Sequence, residues 1–317
     1  MILAISGLTL KDRLNNHFMK YVVTGGAGFI GSHIVKNLVN RGHLVTVVDN
    51  LHTGKIENLA SVKNKIKFEK EDILNFDKLE PILNNSDGIF HQAGLTLVQE
   101  SFEKEKQYFD VNVNGTKNIL QIAKKYHIRV IHASSSSVYK NTNQIPIKED
   151  SERKAFNPYA LTKLEDELLA EQFIKNGLDV LCLRYFNVYG TAQTAGVIQQ
   201  FLRNLKEFKS PIINGNGEQL RDFIHVEDVA IANLAAMESQ IKNGFFNIGT
   251  GRAISILQLA EIMINISGLD LTPEFAPLPQ GDVELSQADT TLSKKLLSWE
   301  SSITLEKGLV QLFEKVQ

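Results

Sequence analysis

Cysteine is almost absent from this 317-residue chain, and the one thiol, Cys182, excludes both an internal disulfide and a cysteine-built metal site. It sits in an apolar run, reads as a buried strand residue, and fits a reducing, cytoplasmic compartment. Tryptophan occurs once, at Trp299, in a Leu-rich C-terminal stretch where it reads as core. Charge of one sign is also lacking: 34 Lys and Arg face 36 Asp and Glu, for a net charge of −2. A chain so balanced has no global basic field to gather a nucleic-acid backbone or an anionic membrane, so neither is expected as a partner. No uninterrupted apolar run reaches the ~18 residues of a membrane span. The apolar start, Met1 to Leu10, has no basic residues before it and no small-residue cleavage pattern after it, and reads as non-secretory. Internal repeats, heptads and long low-complexity segments are missing too.

What remains is an ordinary globular composition, 43% hydrophobic and 22% charged. At about 100–200 residues per domain the chain has room for one large or two modest domains. From Tyr21 onward, short β-branched runs alternate with longer amphipathic ones, the rhythm of βαβ units that feed a parallel sheet. Strands are expected at Lys20 to Thr24, Leu44 to Asp49, Ile66 to Lys70, Gly88 to His91, Arg129 to Ser134 and Asp179 to Arg184. Helices are expected at Gly28 to Arg41, Val111 to Tyr126 and Pro158 to Asn176. The fold class is therefore α/β, a doubly wound parallel sheet. Beyond Asn187 the pattern loosens into short helices and Gly- and Pro-bearing turns, which suggests a smaller second lobe. The expected division is an extension at 1–18, a nucleotide-binding domain at 19–186, and a substrate lobe at 187–317 from which the chain can cross back. Met19, immediately before the first strong strand, is the expected functional start.

The segment Thr24-Gly25-Gly26-Ala27-Gly28-Phe29-Ile30-Gly31 stands where a strand should hand over to a helix. Glycine is needed there because the turn is tight and the backbone must approach a pyrophosphate at the helix N-terminus, whose N–H groups favour an anion. A glycine-rich turn alone is weak evidence. Here Asp49 closes the next strand 18 residues after Gly31, near the ~20 expected of an acid that accepts both ribose hydroxyls. Such a carboxylate repels a 2′-phosphate, so NAD is expected rather than NADP. Tyr159 and Lys163 stand four apart in a helical stretch, hence on one face, where the ammonium can stabilise a phenolate. An unassisted tyrosine, with a pKa near ~10, is a poor base at neutral pH. The eight histidines show no ligand spacing and no metal is expected; His91 and His132 read as packed strand-end residues. The acidic run Glu165, Asp166, Glu167 reads as a solvated helix face.

These motifs, together with His91-Gln92-Ala93-Gly94, Asn112 to Thr116, Ser134 to Tyr139, Leu183 to Asn187, Arg221 to Asp228, Phe246 to Gly251 and Gly281-Asp282, resemble the extended short-chain dehydrogenase/reductase family. The closest resemblance is to its nucleotide-sugar 4-epimerases, and it covers nearly everything from Met19 onward. It implies that Tyr159, Lys163 and Ser135 are catalytic and that NAD lies against Gly25, Gly28, Phe29, Ile30, Gly31, Asp49, Asn50, Asp72, Ile73, Gln92, Ala93, Gly94, Asn112 and Tyr185 as well as the catalytic pair. It further implies a UDP-sugar held by Ser135, Ser136, Phe186, Asn187, Arg221, Asp282 and Ser286, and a homodimer formed through the helices around Val111 to Tyr126 and Pro158 to Asn176. Apolar faces of those helices could equally be intrachain core, and Arg221 could instead pair with Asp222.

The resemblance also implies a reaction: reversible oxidation of the sugar at C4, with Tyr159 taking the O4 proton directly or through Ser135, and re-reduction on the other face. Related dehydratases carry acids at the positions of Ser136 and Ser137, and related decarboxylases a glutamate at the second. Serines cannot serve as those acids, so epimerisation is expected ahead of the alternatives: a uronate epimerase, a dehydratase, a decarboxylase, or a non-catalytic NAD-binding regulator. Three departures stand out. Pro279 replaces an arginine found in many relatives, Lys140 replaces a common glycine, and Ser286 stands where epimerases restricted to plain hexoses carry a bulky tyrosine. A serine leaves room for a 2-acetamido group, which brings UDP-GlcNAc and UDP-GalNAc in beside UDP-Glc and UDP-Gal.

Overall fold

Val, Ile, Leu and Phe crowd the expected strands, and such residues pack well on a pleated surface covered on both faces. In the computed structural model, which describes residues 18–141, 144–277 and 284–314, they form β1 (Lys20–Thr24), β2 (Leu44–Val48), β3 (Ile66–Glu69), β4 (Gly88–His91), β5 (Arg129–Ser135) and β6 (Val180–Tyr185). Every strand end falls within a residue of its expected place. Together with β11 (Gly244–Ile248) these strands make a seven-stranded sheet in the order β3-β2-β1-β4-β5-β6-β11, every pair parallel. Side chains alternate between its two faces. Tyr21 and Val23 of β1 and Leu181 and Leu183 of β6 pack into one apolar cluster, while Val22, Val180 and Cys182 pack into the other.

Helices α1 (Phe29–Asn40) and α8 (Val226–Glu238) cover the first face, and α2 (Phe76–Leu83), α5 (Gly115–Tyr126) and α6 (Pro158–Lys175) the second. Between β4 and α5 lie the short helices α3 (Val98–Glu103) and α4 (Glu105–Tyr108). The helix expected from Val111 is not uniform: Phe109–Asn114 winds as a π-helix, and regular α-helix begins at Gly115. Among the described residues no helix is long and apolar enough to cross a membrane.

Residues 187–317 do not stay in one lobe. The helix α8 and strand β11 return to the first sheet, where Gly244 pairs with Leu181 and Ile248 with Tyr185. Trp299 packs in the same core, and its ring N–H reaches the carbonyl of Asp228 at 3.1 Å. The rest forms a second, smaller core around Phe201, Leu205, Leu259, Met263 and Leu309. It is built from α7 (Val197–Lys206), α9 (Ile256–Ser267) and α11 (Leu305–Glu314), beside the short α10 (Thr291–Leu297) that packs near β11. Three small sheets complete it: β7 (Asn187–Tyr189) with β10 (Phe223–His225), β8 (Ile212–Asn214) with β13 (Glu274–Ala276), and β9 (Leu220–Arg221) between β12 (Ile254–Ser255) and β14 (Leu285–Ser286).

The helix α6 corrects one expectation. Its start is conventional: Asn157 caps it by accepting the Ala160 N–H at 2.7 Å, and Pro158 occupies the first turn. The run Glu165 to Glu167, however, is not a solvated face, because Asp166 and Glu167 are fully buried. The reason is a set of partners that no local pattern shows. Arg184 of β6 grips Glu167 with two bonds of 2.8 Å, and Ser134 Oγ donates to the same carboxylate at 2.6 Å. Arg153 adds a contact of 3.0 Å. Breaking a buried pair strands the surviving charge, so Glu167→Ala should cost about 3–5 kcal/mol of stability, read as a lowered midpoint in chemical denaturation.

Candidate active site

The glycine turn follows β1 directly. Gly25 has φ of +65°, and a Cβ there would lie 2.7 Å from the Ala93 nitrogen. At Gly31 a Cβ would run into the carbonyl oxygen of Gly25. No side chain caps α1, so its first N–H groups are left for an anion. These features fit a dinucleotide pyrophosphate, and the cavity beside them, about 1170 Å³, is large enough for a dinucleotide. Gly25, Gly28, Phe29, Ile30, Gly31, Asp49, Asn50, Asp72, Ile73, Gln92, Ala93, Gly94, Ser135, Tyr159, Lys163 and Tyr185 all line it.

Asp49 is held in place by the N–H groups of Ala27 at 2.9 Å and Leu51 at 2.8 Å. Burial raises its carboxyl pKa and those two bonds oppose the rise. Asn50 donates to Asp72 at 2.8 Å, which joins the ends of β2 and β3 across the cavity mouth. Tyr185 is knit to Gln92 at 3.0 Å and to Asn233 at 2.8 Å, and burial pushes its phenol pKa up. Asn112 needs correcting. It does not line the cavity: its buried amide accepts the Leu95 N–H at 2.8 Å and donates to the Leu95 carbonyl at 3.0 Å and to Thr162 Oγ at 2.9 Å. Asn112 ties the loop after β4 to α6.

The three residues expected to be catalytic come from two elements. Ser135 ends β5, and Tyr159 and Lys163 lie one turn apart near the start of α6. Ser135 Oγ accepts from Ser137 N–H at 3.2 Å and from Ser137 Oγ at 3.0 Å, which leaves its own proton to be donated into the cavity. Lys163 is buried, with Nζ 3.1 Å from the Ala133 carbonyl and 3.0 Å from Asp166. Burial alone would lower its pKa, but Asp166, with Tyr159 adding to it, outweighs that and raises it. Lys163 is therefore an ammonium, and with two N–H bonds made internally it has a third to offer toward the cavity it lines.

A second cavity, of about 540 Å³, meets the first at a shared wall of Ser135, Tyr159, Tyr185, Phe186, Ala195 and Gly196. Ser136, Asn187, Arg221 and Ser286 line it as well, whereas Asp282 and Pro279 lie outside the described residues. The Asp222 carboxylate beside Arg221 accepts the N–H groups of Thr250 at 2.8 Å, Gly251 at 2.9 Å and Ala288 at 3.1 Å. Among the described lining residues the charged ones are Lys140, Arg203 and Arg221, all cationic. Arg203, Gln200, Asn214 and Gln219 were not expected there. The only sequence signal for the first two is the polar side of α7, whose Ile198, Phe201, Leu202 and Leu205 face the second core; Asn214 ends β8 and Gln219 immediately precedes β9, and neither is marked by such a pattern.

The model of the NAD dependent epimerase/dehydratase family matches residues 21–249. The chain belongs to that family. It is accordingly an enzyme with NAD as its cofactor, and the bare glycine cradle, the uncapped α1 and Asp49 are the groups that would hold NAD. Among solved structures, a UDP-glucose 4-epimerase of Thermotoga maritima with UDP-glucose is similar, with a TM-score of 0.89 and 36% identity over 94% of this chain and 99% of that one. A UDP-N-acetylglucosamine 4-epimerase of Methanobrevibacter ruminantium in complex with UDP-N-acetylmuramic acid has a TM-score of 0.90 and 35% identity over 94% and 97%. A UDP-N-acetyl-alpha-D-glucosaminuronate decarboxylase of Bacillus cytotoxicus is 33% identical over 93% of this chain and 98% of its own. Nucleotide-sugar chemistry is common to all three.

The cradle makes a sharp test. A methyl group at position 31 would meet the Gly25 carbonyl, overpacking of this kind costs about 1–3 kcal/mol, and Gly31→Ala should weaken NAD binding roughly ten- to hundredfold, measured as the cofactor retained by purified protein.

Proposed function

We propose that the protein is a UDP-sugar 4-epimerase that interconverts UDP-Glc with UDP-Gal and UDP-GlcNAc with UDP-GalNAc. The observation that carries this reading is the shared wall: Ser135 and Tyr159 stand between the cofactor cavity and a second cavity whose described charged lining is wholly cationic. Arg221 and Arg203 suit a diphosphate, with Asn187 beside them. The sugar then reaches the wall where the proton-transfer groups are. When bound, NAD supplies the acceptor and donor of the C4 hydride. Ser135 holds O4 with its outward proton, and Tyr159, as phenolate, takes the O4 proton while the C4–H bond breaks and C4–O becomes a carbonyl. Lys163 keeps the phenolate stable by its charge. After the sugar turns about its anchored diphosphate, Tyr159 returns the proton to O4 as C4 is re-reduced on the opposite face. Anchoring through the nucleotide leaves the sugar end permissive.

Elimination and decarboxylation are disfavoured on the same geometry, because Ser136 and Ser137 line the second cavity without a carboxyl group between them. The reading of a homodimer through α5 and α6 is supported by Leu161 and Leu168, which are 47% and 36% exposed on α6. Ser286 is the basis for admitting N-acetylated sugars: it lines the second cavity from β14, opposite Arg221 of β9.

Proton NMR of UDP-Glc and of UDP-GlcNAc, each incubated with purified protein, tests the proposal. Both pairs should interconvert, and silence from both would overturn it. Tyr159→Phe should lower turnover by about 10²- to 10⁴-fold while NAD stays bound. Ser286→Tyr should abolish turnover of the N-acetylated pair and spare the plain hexoses; equal loss of both would remove the assignment of Ser286.

A further inference from the structure

Beneath Lys163 lies a buried group that the reaction as described does not use. Asp166 is fully buried on α6, with Oδ2 3.0 Å from Lys163 Nζ and Oδ1 without a hydrogen-bond partner. The elements packed around it bring the hydroxyl of Thr116 from α5, His132 from β5 with Nε2 3.7 Å away, and the thiol of Cys182 from β6. His91 of β4 stacks on His132 at 5.3 Å and is itself fixed between Thr24 at 2.7 Å and Thr116 at 2.9 Å. Its own helix adds Glu167, which Arg184 neutralises. Both histidines are neutral, because burial depresses their pKa values, that of His91 to about 3. Lys163 is thus the only cation in direct contact with Asp166 among the described residues.

We propose that Asp166 is a positioning residue that fixes Lys163 and sets the proton affinity of the Tyr159–Lys163 couple. This rests on the proposed role of Tyr159 as the proton acceptor. The argument is one of net charge. With Asp166 ionised, Lys163 and Asp166 form a neutral pair, and removing the Tyr159 proton gives the cluster a net negative charge. With a neutral residue at 166, the same step gives a neutral phenolate–ammonium pair, which a poorly solvated site favours. Asp166 therefore opposes the stabilisation that the Lys163 ammonium alone would give a negative charge at Tyr159. It also holds the proton on Lys163 against burial. The carboxyl's own pKa, raised by burial and opposed by Lys163, lies at about 6, so the pair is intact at neutral pH.

Asp166→Asn removes the charge and keeps the shape; Asp166→Ser, smaller and neutral, serves should the amide fail to fold. Both limbs of the pH profile of turnover should move to lower pH by about one unit, with a roughly tenfold loss on the alkaline side, while Asp166→Glu keeps the wild-type limbs. A second readout needs no substrate. The ultraviolet tyrosinate band of the NAD-loaded protein, taken against the matching Tyr159→Phe variant, should titrate about one pH unit lower in Asp166→Asn. A profile that only loses height, with an unmoved tyrosinate midpoint, overturns the proposal and leaves Asp166 a packing residue. Failure of every sugar to turn over would count against the epimerase, and the tyrosinate titration would still decide the role of Asp166.

Discussion

The guanidinium of Arg184 is the joint on which the rest of the molecule turns. It is 2% exposed, and it binds α6 through Glu167, the segment after β5 through the Tyr139 hydroxyl at 2.8 Å, and the chain ahead of α6 through the Glu149 carbonyl at 2.7 Å. Its Cζ also lies over the rings of Tyr139, 4.9 Å from the centroid, and Phe245, 5.0 Å from the centroid. Tyr139 in turn donates to Asn247 of β11 at 2.6 Å. One side chain thereby sets the distance between the helix that carries Tyr159 and Lys163, the strand end that carries Ser135, and the strand that returns from the second core. Residues drawn from two elements keep a working geometry only if those elements hold register to a fraction of an ångström, and a planar, five-donor group that makes four hydrogen bonds is well suited to that.

The sheet order explains why the site lies where it does. Successive connections wind outward in opposite directions from β1 and β4, which leaves a crevice at the ends of those strands. The glycine turn after β1 and the loop after β4 supply its two walls. A parallel sheet directs every strand's C-terminal end to the same edge, so Asp49, Gln92, Ser135 and Tyr185 arrive together although they are far apart in the chain.

The framework was legible because the signals that specify it are local. The first six strands are short runs rich in apolar residues or, in β3, an alternating one, and the glycine turn, the acid at Asp49 and the Tyr159–Lys163 spacing are all readable within a few residues. What escaped is what depends on partners distant in sequence. Asp166 and Glu167 look like surface acids until Arg184 and Lys163 are brought to them. Asn112 sits beside the cofactor residues in the chain but turns its amide to Leu95 and Thr162. The cations of the second cavity come from Lys140, Arg203 and Arg221 on three separate segments, none of which advertises the others.

The position of β11 has a consequence for how the chain comes into being. The strand that completes the sheet is made only after the whole of β7 to α8 has been synthesised, so a nascent chain ending after β6 presents an unpaired edge of six residues, all but Arg184 apolar, with no neighbour on one side. Gly244 pairs with Leu181 far back in the chain, a non-local contact that raises the contact order of the whole and makes closing the sheet costly in chain entropy.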